Sequence, residues 1–460
     1  MKIAWFTPFW RASAIGTFSR HVAERLALIA DVELWVPELE GAQETALEVV
    51  EFDPTRLDTR RLGSADVVVY NLGNNLAFHH SIMLAARKAP GVVILHDLVM
   101  HHVYLDEVRT RTGAVDEFVR LVRRWYGDEA GQEVADALSV DPMRGYPPDH
   151  LCARLPLIEQ ATVDARGLIV HSNAQEQRLR DWWVGPFARL QLPSYDAEVA
   201  FEPSLSPTPH PDGRLRLVSV GWIGRAKQVH QVLEALGRRP GLRDRVHYRV
   251  AGLFDESSDY GLELLALIEH HGLHDCVELL GFLTDDELEA EMAQADVFVN
   301  LRWPSTEGGS AALVQQLISG RPVIVSRTGI FDEMPEHAVV KVAPDDAEAV
   351  ADAIQQLVDR PDDRTTIGRA GHEVARQFTV EAYARGVEGV LTSVAEWGPV
   401  LAVLDRIGDR LEGIGARPGM PFLQTVGAEL SQLFGPRFSQ GRSMRLEPQP
   451  EASGATDRSD

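Results

Sequence analysis

Two stretches of this chain combine side chains that could hold a phosphorylated ligand and a sugar attached to it. The first is VGWIGRAKQ, Val220 to Gln228, which follows the apolar run LRLVSV. A strand ending on Gly221 leaves its backbone open to close approach. A helix opening there would aim free N–H groups and a partial positive charge at an anion. Arg225 and Lys227 at its mouth would add full charges. The plainer reading is a solvated helix start with two surface cations. The second stretch is NLRWPSTEGGSAALVQQLISG, Asn300 to Gly320, where Glu307 precedes Gly308, Gly309 and Ser310 at the start of a helical pattern. Its glycines permit a ligand near the helix N-terminus. A carboxylate repels phosphate, so Glu307 makes sense as an acceptor for hydroxyls beside the phosphates. The plainer reading is a strand–helix turn with a dipole-friendly carboxylate.

A third stretch, ILHDLVMHH (Ile94 to His102), ends an apolar run on His96 and Asp97. His96, Asp97, His101 and His102 can be read as zinc ligands, but their spacing is not a common zinc pattern. Hydrogen-bonded histidines at a domain edge are the structural alternative. The acidic pair in TDDELEAEM sits at a helix start, where Asp285 and Asp286 favour the dipole, so no metal is expected there.

The elements that must position these residues come in two similar sets. The first half offers the strand candidates KIAWF, VELWV, DVVVY, GVVIL, GLIVH and RLQL; the second offers LRLVSV, HYRVAG, VELLG, DVFVN, PVIVS and VVKVA. Helical patterns separate them, among them Phe18 to Leu28, Asn75 to Arg87, Glu287 to Gln294 and Ala349 to Leu357. Near-continuous apolar strands alternating with helices imply parallel sheets covered on both faces. The expected architecture is α/β, with two Rossmann-like doubly wound domains facing across a cleft and extra C-terminal helices. Ligand belongs where the strands' carboxyl ends meet. The boundaries fall at 1–200 for the first domain and 201–214 for a Pro/Ser-rich linker. The second domain takes 215–378. Helices follow over 379–436, divided near Pro399, the first crossing back to the first domain. A disordered polar tail takes 437–460.

Composition excludes several classes. Lys and Arg number 45 against 68 Asp and Glu, a net charge of −23. Such a chain is ill suited to nucleic acid, which needs a basic surface. No Gly-x-Gly-x-x-Gly follows a strand, against a dinucleotide oxidoreductase. Two distant cysteines, Cys152 and Cys276, argue against a disulfide framework and fit a reducing cytoplasm. MKIAWFTPFW lacks the apolar core of a signal peptide, and no stretch reaches ~18 apolar residues without charge. AVDEFVRLVRRWYG carries Arg120, Arg123 and Arg124 opposite an apolar stripe. That is either a solvated face or a surface for weak peripheral membrane contact.

The second half resembles the retaining, sucrose-synthase-like family 4 glycosyltransferases of GT-B fold, over roughly Met1 to Trp397. Gly221 and Lys227 match the Gly and Lys of the family's Gly-Arg-x4-Lys-Gly pattern. FLTDDELEAEMAQADVFVNLRWPSTEGG matches its run into the first acidic residue, and IGTFSRHVAERLA resembles its glycine loop and helix. ILHDLVMHH resembles a His-Asp strand end in a bacterial branch. Trp222 stands where the family has a phosphate-binding Arg, with Arg225 three residues on. Gln315 stands where the second Glu of Glu-x7-Glu is expected, and the loop before Glu307 is one residue shorter.

The resemblance implies transfer of a sugar from a nucleoside-diphosphate sugar to an acceptor hydroxyl, without metal or cofactor. Lys227 and Arg225 would neutralise the leaving diphosphate, with Gly221, Gly308, Gly309, Ser310 and Gln315 around the donor. Glu307 would hold sugar hydroxyls. His96 would lie under the donor sugar, its backbone or side-chain dipole facing the oxocarbenium-like charge. Asp97 would bind an acceptor hydroxyl, and Gly16 would let the N-terminal loop close over the donor. Trp222 and Gln315 keep open a non-catalytic binding or partner subunit of the same fold. A phosphorylase or epimerase would instead turn over without an acceptor.

Overall fold

The computed structural model describes residues 1–416, apart from 11, 12, 144, 181, 182, 184 and 196–212. Beyond 416 it describes only 420, 422, 423, 425, 426 and 429. Most of the expected linker, and the expected tail at 437–460, lie outside the described residues.

The first half folds into a seven-stranded parallel sheet. Its strands are β1 (Lys2–Phe6), β2 (Asp31–Val36), β3 (Glu48–Glu51), β4 (Val67–Leu72), β5 (Val92–Leu95), β6 (Gly167–Val170) and β7 (Phe187–Arg189), in the order β3-β2-β1-β4-β5-β6-β7. Ile3, Trp5, Ile94, Leu95 and Ile169 are fully buried, as strands covered on both faces require. Each such side chain contributes on the order of 1.5–3 kcal/mol by leaving water. The second half forms a six-stranded parallel sheet from β8 (Leu215–Val220), β9 (Val246–Ala251), β10 (Val277–Gly281), β11 (Val297–Asn300), β12 (Val323–Ser326) and β13 (Val340–Val342). Their order is β10-β9-β8-β11-β12-β13. Strand order reverses between β1 and β4 in one sheet and between β8 and β11 in the other, so each sheet opens a crevice there.

The helix Val380–Gly413 returns to the first sheet. Tyr383, Val387, Val390, Leu391 and Val394 are buried in one cluster with Ile3, Trp5, Val22 and Leu26. It runs through Pro399, where two separate helices were expected. A proline removes one intrahelical bond, and here it falls beyond the stretch anchored on the sheet. The helix Asp116–Leu138 buries Phe118, Val119 and Val122 and leaves Arg120, Arg123 and Arg124 exposed.

Three local readings differ from the sequence. The edge strand β3, EVVE, is too short and too charged to be read as one. β7 starts two residues before RLQL and overlaps it only at Arg189. The helix expected at Arg225 starts at Val229; Arg225–Lys227 form a 3-10 turn, and Gln228 breaks it with a φ of 52°.

Candidate active site

The site is assembled at the crevice of the second sheet. β8 ends at Val220, and Gly221 follows with a φ of +97°. Only glycine adopts that conformation without strain, and a Cβ there would stand 2.6 Å from the Lys227 Nζ. The chain doubles back so that Lys227 Nζ donates to the Val220 carbonyl at 2.6 Å. Burial, reinforced by the charge of Arg302 and opposed by Glu307, pulls the Lys227 ammonium down to about 7.

Glu307 arrives from the neighbouring strand end, after β11. Trp303 N donates to Ala226 O at 2.8 Å, so the two loops are joined directly. Arg302 is 4% exposed and donates from Nε to Glu307 Oε1 at 2.8 Å. Burial works to raise the Glu307 pKa, but the charges of Arg302 and Lys227, with bonds from Arg302 and Ser310, outweigh it and hold the carboxylate below its ordinary value. Lys227 and Glu307 are therefore near enough for each to shift the other. Ser310 caps the helix Ala311–Ile318 by accepting from Leu313 N.

The first sheet meets this loop at the end of β5. Asp97 and Glu307 form an isolated antiparallel bridge. Leu98 N and Val99 N donate to Thr306 O, and Gly308 N donates to His96 O at 3.1 Å. What approaches Gly308 and Gly309 here is protein. A Cβ on Gly308 would stand 2.6 Å from His96 O, and one on Gly309 would stand 2.8 Å from Leu192 Cδ1. The His96 ring is buried, shares a hydrogen bond with Asn71 Oδ1 at 3.0 Å, and packs against Phe18 and His171. Burial, with His171 and His79 nearby, keeps it well below its ordinary pKa and therefore neutral. Asp97 accepts from Asn74 N at 2.7 Å. Burial and the charge of Glu307 push its carboxyl up to about 6, against that bond.

The remaining predicted residues are placed differently. Arg225 is exposed, ion-paired with Glu263 and stacked over Tyr260, 4.9 Å from the ring centroid. The turn at Arg225–Lys227 sends these two side chains in different directions, so only Lys227 joins Glu307. Gly16 lies in the first turn of the helix Ala14–Leu26. There its missing side chain admits the Pro8 carbonyl, 2.5 Å from where a Cβ would be. Gln315 is half-buried on the Ala311–Ile318 helix, whereas its neighbour Gln316 is fully buried and bonds Asn300. Trp222 is 77% exposed beside Gly221.

The zinc reading does not hold together. His101 bonds the Leu155 carbonyl, His102 bonds Asn74 and His96 bonds Asn71. Among the described residues, no three His, Cys, Asp or Glu are grouped to hold a metal ion.

Two residues were missed. Arg302 lies in a loop between strand and carboxylate, where nothing in its spacing marks it as buried. Gln175 is fully buried. It donates to Leu95 O and Asp97 O while accepting from His171 N, and so fixes the strand end that carries His96 and Asp97.

Two doubly wound parallel sheets with facing strand ends, and a C-terminal helix returning to the first, define a GT-B architecture. Residues 202–374 match the family model of glycosyl transferases group 1. The chain is 26% identical over 188 residues to a putative colanic acid biosynthesis glycosyltransferase, WcaL, of Salmonella typhimurium, a match covering 39% of this chain and 45% of the relative. The chain thus spans about half the length of the curated relatives it matches first. Sucrose-phosphate synthase from Thermosynechococcus elongatus superposes with a TM-score of 0.58 at 17% identity, over 88% of this chain and 100% of that one. Anabaena HepE, in complex with UDP and glucose, gives 0.54 at 17% identity, over 85% and 100%.

Proposed function

We propose that this chain is a retaining, hexosyl-type glycosyltransferase. It moves a sugar from a nucleoside-diphosphate sugar to an acceptor hydroxyl in glycan, polysaccharide or glycoconjugate synthesis. The observation that carries this reading is the proximity of Lys227, a half-buried cation, to the Glu307 carboxylate on two loops joined at the sheet crevice. The group 1 match over 202–374 supports it, as do the names of the curated relatives. The UDP bound by a protein of the same fold agrees with a nucleotide donor.

In this reading residues 1–200 carry the acceptor side and 215–378 the donor side. Lys227 faces the diphosphate and offsets the charge that develops as the sugar leaves, a task preorganised cations perform well in a water-poor site. Glu307, kept ionised, accepts from sugar hydroxyls. Asp97, one bridge away, accepts from the acceptor hydroxyl. His96 contributes a neutral dipole beneath the sugar. The leaving phosphate takes the acceptor proton on the same face, so no separate base is assigned, and no metal enters the scheme. Arg225 is left out because its charge is paired with Glu263.

A donor-hydrolysis and transfer screen over UDP-, GDP- and TDP-sugars tests this. The expected result is turnover with one donor class and a loss of about 10²–10³ in rate for Lys227→Ala. Trp222 and Gln315 favour the alternative of a binding subunit without chemistry, which predicts nucleotide binding with no turnover for any donor.

A further inference from the structure

Lys227 is not the only cation in the crevice. Arg302 lies in the adjoining loop, tied to it by the Trp303 N to Ala226 O bond. Its guanidinium is held by Nε to Glu307 and by Nη1 to Leu301 O at 2.7 Å, with the Phe331 ring centroid 5.4 Å away. Among the described residues its Nη2 makes no hydrogen bond.

The arrangement is unfavourable without a ligand. Arg302 and Lys227 stand on joined loops and share one nearby carboxylate, which is already bonded to Arg302. After burial, the charge of Arg302 is the largest influence lowering the Lys227 ammonium. Like charges brought together in a partly desolvated site cost free energy unless an anion joins them. The two other positions that the sequence offers for a second cation do not supply one. Position 222 holds an exposed Trp, and Arg225 is paired with Glu263.

We propose that Arg302 is the second diphosphate-binding cation, reaching the ligand from the end of β11 in place of a charge at position 222. The planar guanidinium suits both tasks at once. One edge holds Glu307 toward the sugar while Nη2 meets a phosphate oxygen shared with Lys227. This rests on the glycosyl-transfer reading and assigns that site its anion contacts.

The test measures binding of inorganic pyrophosphate and of UDP, GDP and TDP, by calorimetry and by the ligand-induced rise in melting temperature. It compares wild type, Arg302→Gln, Arg302→Lys, Arg225→Ala, Glu307→Gln and, as a surface control, Arg245→Ala. Arg302→Gln should weaken pyrophosphate at least ~10-fold, as loss of a charge-assisted contact implies. Arg302→Lys should recover part of that loss, and Arg245→Ala should match wild type. Glu307→Gln should bind pyrophosphate as well as wild type or better, because a repelling carboxylate is gone. That variant keeps the test decisive if Arg302→Gln does not fold. Wild-type pyrophosphate affinity in Arg302→Gln, or weakened affinity in Glu307→Gln, would overturn the assignment and leave Arg302 as a clamp on Glu307. Loss of binding on Arg225→Ala instead of Arg302→Gln would overturn it as well. If wild type binds pyrophosphate but no nucleoside diphosphate, the glycosyl-transfer reading fails while the anion assignment stands. If it binds neither, both fall.

Discussion

Asp97, just past the end of β5, and Glu307, on the loop that follows β11, are joined by an antiparallel backbone bridge that links the two halves of the chain. Bonds on either side, from Leu98 N and Val99 N to Thr306 O and from Gly308 N to His96 O, hold the two halves in register. The proximity sets the charge of each group. Glu307 stays ionised because Arg302 and Lys227 attend it, and Asp97 is pushed upward by burial and by Glu307.

The bridge depends on Gly308. An added methyl would stand 2.6 Å from the His96 carbonyl and would also meet the Gln175 amide. Gly308→Ala should destabilise by roughly 1–3 kcal/mol, the range for overpacking a filled site, and should reduce transfer. Chemical denaturation and rate measurements check this. Unchanged stability would mean that the two halves are not held together at this point.

Lys227 ties ligand binding to pH. In the free protein its ammonium is held at about 7. A bound diphosphate favours the charged form and raises that value, so the complex binds more protons than the free protein. At pH 8, binding should take up a proton, and affinity should fall as pH rises above about 7. Calorimetry in two buffers of different ionisation enthalpy measures the uptake. Lys227→Met should abolish it.

Asp97 has the opposite sign from a stabilising carboxylate. Its folded pKa, about 6, lies above its ordinary value. Between the two values the folded state binds more protons than the unfolded one, so stability falls as pH rises through that window. Asp97→Asn should therefore melt higher than wild type at pH 7.5, with the gap closing below pH ~4. If Asp97 binds the acceptor, the variant should also raise the acceptor KM. A variant less stable than wild type at pH 7.5 would contradict the assigned environment.

Glu333 makes a second tie across the cleft. Its Oε1 accepts from Asn173 N at 2.7 Å, at the start of the helix Asn173–Arg180. A carboxylate there completes a helix N-terminus of the opposite half. Glu333→Ala should cost ~1 kcal/mol, as loss of a helix cap does. It should also speed amide exchange at Leu98, Val99 and Gly308, read by mass spectrometry. Unchanged exchange at those amides would separate this contact from closure.

The sequence by itself determined the two sheets and the place of the crevice. Runs such as IAWF, VVIL and VIV are apolar at every position, and only strands buried on both faces use such runs economically. It also placed Gly221 at a strand end and Lys227 and Glu307 in the segments just after one, because a break in an apolar run is a local signal. Tertiary structure decided which charges meet. Arg225 and Lys227 are two residues apart and look equivalent as text. A 3-10 turn closed by left-handed Gln228 turns one toward Glu263 and the other under Val220. Arg302 looked like any loop cation, and its burial depends on Phe331, Leu301 and Glu307 closing around it. The glycines at 308 and 309 announced a close approach, but only the fold showed that the other half of the chain makes it. Local pattern fixes where elements start and stop. The direction and neighbours of a charged side chain depend on residues far along the chain, and no periodicity records them.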